Sequence, residues 1–142
     1  MAEQKQVNVK VTSMISESGH KETIEVEEQG RYYQKGDTHI LIFDEKDDED
    51  NVTHNFFTIN EEKVVLKRSG QMRMNQMFRL GQTTENPYQH PYGTMLMKTK
   101  TKQLQFDTSE DQTKGQLQID YELSLSEQPV RQHRLTITYE EV

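Results

Sequence analysis

Strict alternation of apolar and polar residues is the feature of this sequence that most constrains its fold. The alternation is clearest in residues 116–126, where every second position is apolar: Leu117, Ile119, Tyr121, Leu123 and Leu125. Successive side chains of a β-strand point to opposite faces, so this stretch is predicted to be a strand with one buried face. The same period recurs along most of the chain and predicts an all-β protein.

Composition alone would leave folding in doubt, because only 31% of the residues are hydrophobic and the net charge is −7. Such values approach those of disordered chains. The placement of the apolar residues favours folding, since a sheet with one face in water needs them only at alternate positions. The length of 142 residues then predicts a single β-barrel domain over residues 1–142.

Turn residues divide the chain into about eight to ten predicted strands with mostly short connections. A meander of this kind favours a single antiparallel up-and-down barrel over a Greek-key sandwich, because a barrel leaves no exposed edges. In the strand predicted for 92–106, Met95 and Met97 lie on odd positions, whereas Leu104 and Phe106 lie on even ones. A β-bulge near residues 102–103 would let both pairs face the core.

Three segments interrupt the pattern of regular strands. Residues 44–50 hold six acids in seven positions, and their mutual repulsion predicts a solvated loop. Residues 82–91 contain Pro87 and are interpreted as too irregular for a strand. Gly30 lies inside a predicted strand, where glycine usually marks a bulge or a bend.

Several motifs resemble the YwiB-like family of small uncharacterised bacterial proteins. The motifs are Leu66-Lys-Arg-Ser-Gly70, Phe78-Arg-Leu-Gly81, Pro91-Tyr-Gly93 and Asp120-Tyr-Glu-Leu-Ser-Leu125. The resemblance covers essentially the whole chain. It implies a calycin-like barrel, the architecture of lipocalins and intracellular fatty-acid-binding proteins, and it implies no known activity.

The barrel interior is the leading candidate for a ligand site. Eight to ten strands enclose either a small cavity or just enough side chains to fill the space. We expect a small apolar or amphiphilic anion, with its body against the interior residues and its head on one of the two basic residues of the last strand, Arg131 or His133. The candidate residues are Tyr121, Met95, Met97, Arg131 and His133, with Tyr88 and Tyr92 as a lid.

Each of these residues also has a purely structural interpretation. Methionines and Tyr121 can simply fill the barrel. Arg131 and His133 follow Pro129 and can lie in water at the barrel mouth. The tyrosines can plug one end of the barrel.

The alternative function is a protein- or RNA-interaction module that uses a basic outer flank. Residues 63–102 hold eight bases and one acid, Glu85, and a row of cations suits phosphate backbones. Threonines occupy the positions between Lys98, Lys100 and Lys102, where an RNA platform would carry aromatic residues. Nucleic-acid binding is therefore not expected.

No catalytic or metal-binding motif is present in the sequence. There is no cysteine, and the acidic run has Val52 where a calcium loop requires glycine. We expect no enzyme, no cofactor and no metal. An enzyme site at the barrel mouth would instead need His133 or His90 beside a carboxylate or hydroxyl group. With no apolar leader or spanning segment in the sequence, we expect a cytoplasmic protein; its oligomeric state stays open.

Overall fold

The computed structural model describes residues 4–126 and 128–142. These residues form ten strands: β1 (Lys5–Glu17), β2 (His20–Lys35), β3 (Thr38–Lys46), β4 (Val52–Ile59), β5 (Lys63–Ser69), β6 (Arg73–Arg79), β7 (Thr83–His90), β8 (Gly93–Thr108), β9 (Lys114–Leu125) and β10 (Arg131–Glu141). In this part of the chain, no helix is long and apolar enough to cross a membrane.

Every strand pairs antiparallel with its neighbours in sequence, and β1 closes the sheet by pairing with both β2 and β10. The β1–β10 ladder runs from the Val7–Glu141 pair to the Ser16–Gln132 pair. The result is a closed up-and-down barrel, which confirms the predicted fold class and its count of about eight to ten strands.

Alternation along the strands fills much of the barrel with apolar side chains, as predicted from residues 116–126. Leu117 and Ile119 of β9 are buried, and Ile137 of β10 lies opposite Leu117. The core continues around the barrel through Val7, Val9, Leu41, Ile59, Val64 and Phe78.

Aromatic rings close one end of the barrel, which we call the aromatic end and define by Tyr32, His39, Phe106 and Tyr139. The rings of Tyr32 and Tyr139 stack with centroids 4.6 Å apart, and those of His39 and Phe106 lie 4.7 Å apart. Tyr32 Oη lies 2.6 Å from His39 Nδ1, in a hydrogen bond. Burial lowers the pKa of His39, so this end is held by uncharged rings.

The bulge predicted in the long strand is confirmed. The register between β8 and β9 shifts between Thr101 and Gln103. Before the shift, Met97 and Thr101 are buried on odd positions; after it, Leu104 and Phe106 turn inward on even positions.

The interpretation of residues 82–91 as irregular is wrong, since Thr83–His90 forms β7 and pairs with β8 along its whole length. Pro87 is tolerated because the β6–β7 ladder is short. It contains Arg73–Gln89 and Met74–Tyr88, and it stops one residue before Pro87 would have to donate a backbone hydrogen bond.

The predicted loop at residues 44–50 is also partly wrong. β3 continues through Lys46, which pairs with Val52 of β4. The backbone ladder thus extends strand structure into the acidic run, and the turn begins only at Asp47. There the carboxylate accepts hydrogen bonds from the backbone N–H groups of Glu49 and Asn51.

Gly30 is required by close approach and not by a bulge. The β1–β2 ladder passes through Gly30 without a register shift, and Gly30 paired with Phe43 is the last pair of the β2–β3 ladder. A Cβ atom added there would overlap the carbonyl oxygen of Ile42 and lie 3.0 Å from Cβ of Phe43.

We expect Gly30→Ala to lower the free energy of unfolding by about 2–3 kcal/mol, because the added methyl meets backbone that cannot move without breaking the ladder. The matched control is Gly36→Ala, at φ +61° with open space around it, and it should cost about 1 kcal/mol. Urea denaturation measures both. An equal or smaller loss in Gly30→Ala would contradict the close approach.

Candidate functional site

The opposite end of the barrel, which we call the cavity end, is not filled. It holds a cavity of about 380 Å³, within the range of small-molecule sites. All ten strands contribute to the wall. Its apolar lining is Val11, Ile15, Ile24, Val26, Phe43, Phe57, Leu66, Met74, Tyr88, Met97, Tyr121, Leu123, Leu125 and Leu135, and its polar lining is Ser13, Glu45, Asn55, Arg68, Gln76 and His133.

A charged network crosses the wall of this cavity. The Nε–H of Arg68 donates to Asn55 Oδ1 at 3.0 Å, and Asn55 Nδ2 donates to Glu45 Oε1 at 3.1 Å. The direct approach of Arg68 Nη2 to Glu45 Oε2 is 3.9 Å, and the two side chains are only 27% and 26% exposed. Asn55 therefore holds the guanidinium through Nε and leaves its outer N–H groups loosely paired.

Tyr121 and His133 stack beside this network, with ring centroids 4.9 Å apart. Burial raises the pKa of Tyr121, against a smaller opposing effect of the Arg68 charge. Burial, and then the charge of Arg131, lower the pKa of His133 to about 4. Both rings are uncharged near neutral pH, so Arg68 and Glu45 carry the charge of the cavity wall.

Buried polar atoms without protein partners lie in the same half of the barrel. His133 Nε2 is buried with no hydrogen-bond partner among the described residues, and so is Oγ1 of Thr101, the residue paired with Tyr121. Gln76 Nε2 donates to Thr99 Oγ1 at 3.0 Å. Buried polar groups are normally paired, so His133 Nε2 offers hydrogen-bonding capacity that the described protein atoms do not use.

The structure brings four of the seven predicted ligand residues to the cavity: Tyr88, Met97, Tyr121 and His133. The other three lie elsewhere. Arg131 does not line the cavity; its side chain is 47% exposed, and its Nε is 3.1 Å from Glu17 Oε2. Met95 pairs with Tyr88 but does not line the cavity, and Tyr92 is 94% exposed.

The aromatic residues of the β7–β8 turn form a ladder at the cavity rim. Tyr88 stacks on His90, and His90 on Tyr92, with centroids 6.2 and 5.1 Å apart. The backbone N–H of Tyr92 donates to His90 Nδ1 at 3.2 Å. The ladder leads from the cavity wall to solvent.

Sequence reasoning missed the two charged residues of the network, although the signal was present. Arg68 continues the alternation of Val64 and Leu66 in β5, and Glu45 continues that of Leu41 and Phe43 in β3. The alternation of apolar residues alone does not include them. The same alternation, extended to polar residues, places both side chains inside the barrel.

The wall beside the cavity is incomplete. β2 pairs with β3 only over Gly30–Lys35, so the two strands diverge beyond Gly30. Ile24 and Val26 on one side of the gap, and Phe43 and Glu45 on the other, all line the cavity. The gap therefore lies over the cavity and provides a side opening.

Two larger hollows lie outside the barrel core. One, of about 990 Å³, follows the outer surface over β2, β1, β10, β9 and β8, and another, of about 860 Å³, lies over the aromatic end. Both are more open to solvent and neither contains the charged network. The interior cavity is smaller, but it is more enclosed, its wall is largely apolar, and the Arg68 guanidinium lies in that wall. These are the features of a ligand site.

The basic outer flank is contiguous, because β5, β6, β7 and β8 are neighbours. Its outward cations are Lys63, Lys67, Arg73, Arg79, Lys98, Lys100 and Lys102. Two of them are already paired: Lys98 Nζ lies 3.7 Å from Glu85 Oε1, and Lys102 Nζ lies 2.8 Å from Glu122 Oε1.

The fold and cavity define a class of closed β-barrel proteins with a partly polar interior. The family model described as "Domain of unknown function (DUF1934)" matches residues 9–137, and the chain belongs to this family. It is 33% identical, over 99% of its length and 96% of the relative's, to the "Uncharacterized beta-barrel protein YwiB" of Bacillus subtilis (strain 168). The crystal structure of the Bacillus subtilis ywiB protein superposes with a TM-score of 0.87 at 32% identity, covering 98% of this chain and 93% of that one.

The lowered pKa of His133 predicts a specific pH dependence of stability. The folded state binds the proton only near pH 4, whereas the unfolded chain binds it near the ordinary value of about 6.5. The stabilisation that comes from keeping His133 uncharged is therefore fully present above about pH 6.5 and is lost as the pH falls towards 4. Between about pH 7 and pH 5, the wild type should lose about 1–2 kcal/mol more unfolding free energy than His133→Gln.

Urea denaturation at the two pH values measures this difference. His20→Gln, which removes an exposed imidazole, is the matched control. The same change in pH dependence in both variants would contradict the assignment to His133.

Proposed function

We propose that the protein binds a small amphiphilic anion in the cavity end of its barrel. The ligand's apolar body lies against the side chains of the cavity wall, and its anionic head lies on the outer N–H groups of Arg68. This role passes from Arg131, the residue that the sequence predicts, to Arg68, because Arg68 lines the cavity whereas Arg131 does not and is paired with Glu17.

The observation that carries the proposal is the incomplete hydrogen bonding of the Arg68 guanidinium. A guanidinium in an apolar wall is costly unless its donors are satisfied. Asn55 Oδ1 accepts a hydrogen bond from Nε of Arg68 at 3.0 Å, but Glu45 Oε2 is 3.9 Å from Nη2. A carboxylate ligand could accept two parallel hydrogen bonds from the remaining donors, which is the arrangement that guanidinium geometry favours.

Two further groups suit the head of such a ligand. His133 Nε2 is buried and unpartnered within the described chain, and the Tyr121 ring stacks on it next to the Arg68 charge. Either can hydrogen-bond an oxygen atom near the guanidinium. The apolar side chains around them, including the adaptable Met74 and Met97, suit a hydrocarbon body.

The cavity volume limits the ligand to a small molecule. About 380 Å³ equals the space of about a dozen water molecules at about 30 Å³ each. A short-chain or medium-chain carboxylate fits such a space. Within the proposal, the protein is a calycin-like, non-catalytic binding barrel, and its setting is the cytoplasm, to which a cysteine-free chain is suited.

The basic flank is the weaker basis for a function. Its cations are spread over three strands, β5, β6 and β8, and Glu85 and Glu122 already pair with two of them. The aromatic ladder of Tyr88, His90 and Tyr92 lies at the cavity rim, so it supports a ligand site and not an outer platform for bases.

The test uses two substitutions in the network that should change ligand affinity in opposite directions. Octanoate is the probe, and two-dimensional NMR titration measures its affinity. Arg68→Gln should weaken octanoate binding by about 10–100-fold, the value of charge-assisted hydrogen bonds. Glu45→Gln should strengthen it by about fivefold, because it removes a competing negative charge and keeps the oxygen that accepts from Asn55.

The matched control is Lys67→Gln, which makes the same charge change on the outer face of the same strand and should leave octanoate binding unchanged. Octanol, which lacks the anionic head, should bind all four proteins alike. If Arg68→Gln retains octanoate affinity, or if Lys67→Gln loses as much, the guanidinium does not hold the head group.

A further inference from the structure

The longest hydrogen-bonding edge left open by this fold belongs to β2. This strand pairs with β1 from His20 to Tyr32, but with β3 only from Gly30 onwards. Among the described residues, no strand pairs with the other edge of residues 21–29. Backbone N–H and C=O groups on such an edge can accept a further strand.

The space beside this edge is wedge-shaped. β3 also lacks a partner on that side over Asp44–Lys46, where it pairs with β4 alone. The two free edges meet at Gly30 and Phe43 and separate towards the cavity end. Ile24, on the inward face of β2, is 44% exposed in this gap.

Both sides of the wedge are strongly acidic. The only cations along them are Lys21 and Lys46. The acids are Glu22, Glu25, Glu27 and Glu28 on β2, and Asp44, Glu45, Asp47, Asp48, Glu49 and Asp50 on β3 and the turn after it.

These charges decide which strand can be added. A second copy of the same edge would place glutamates opposite glutamates, and like charges opposite each other destabilise a sheet. Charges on an edge protect a protein from self-association, and the same charges favour a partner of opposite sign.

We propose that the free edge of β2 binds an extended basic peptide as an added strand. Its basic side chains lie outward beside Glu25 and Glu27, and its alternate apolar side chains lie inward beside Ile24 over the side opening of the cavity. This interaction surface borders the Arg68 site, because Glu45 belongs to both, but it requires no ligand in the cavity.

The probe is a synthetic peptide of about nine alternating lysine and valine residues with blocked ends, which matches residues 21–29 at about 3.3 Å per residue. Fluorescence anisotropy of the labelled peptide measures affinity, and hydrogen exchange locates the site. We expect protection of backbone amides within residues 21–29. We also expect about tenfold weaker binding to the double variant Glu25→Lys/Glu27→Lys, which replaces attraction by repulsion.

The matched control is Asp107→Lys/Glu140→Lys, which makes the same change in net charge at exposed outward positions of β8 and β10. It should bind the peptide within about twofold of the wild type. A peptide N-methylated at alternate residues keeps the charge but cannot pair with the strand edge, so it should not bind. Arg68→Gln removes a cation beside Glu45, so it should not weaken peptide binding although it weakens octanoate binding, and this difference separates the two proposals.

Equal loss in the two charge variants would overturn the proposal in favour of non-specific attraction. Equal affinity for the N-methylated peptide, or amide protection outside residues 21–29, would also overturn it. So would a dimer in sedimentation whose residues 21–29 are protected without peptide, because a second copy would then occupy the edge. The N-methylated peptide and the exchange pattern use the wild type and decide the outcome even if a variant fails to fold.

Discussion

The pairing of β1 with both β2 and β10 is the constraint on which the rest of the structure depends. β1 is hydrogen-bonded on both edges from Val7 to Ser16, so the first and last strands of the chain are locked together and the sheet closes. Closure fixes the interior volume, because ten strands set the girth of the barrel. Whatever that volume holds is then determined by which side chains the alternation sends inward.

Those inward side chains divide the barrel into two unlike halves. At the aromatic end, stacked rings such as Tyr32 and Tyr139 fill the space, and at the cavity end Arg68, Asn55 and Glu45 line a space that none of the described side chains fills. Replacing a buried ion pair by well-packed apolar residues is often neutral or stabilising. A contribution to stability is therefore a poor explanation of the polar half, and this favours the proposed ligand site there.

Much of the fold could be predicted because alternation is a local signal. The strand at 116–126 and the bulge between Thr101 and Gln103 follow from counting positions. β7 could not be predicted the same way, because Pro87 excludes a central strand by the usual rule. The rule fails here because the β6–β7 ladder ends before Pro87, and where a ladder ends depends on tertiary structure.

The candidate site was only partly predictable for a related reason. Alternation places Arg131 and His133 on the same face of β10, but it does not show at which residue the strand leaves the barrel interior. His133 stacks on Tyr121 in the cavity wall, whereas Arg131, at the first position of the strand, pairs with Glu17 and does not line the cavity. Arg68 and Glu45 were missed for the opposite reason. Each follows a series of inward apolar residues at alternate positions, but a charged side chain is usually expected to be exposed. A charged residue that continues an apolar alternation before a turn is therefore a candidate for the polar lining of a barrel.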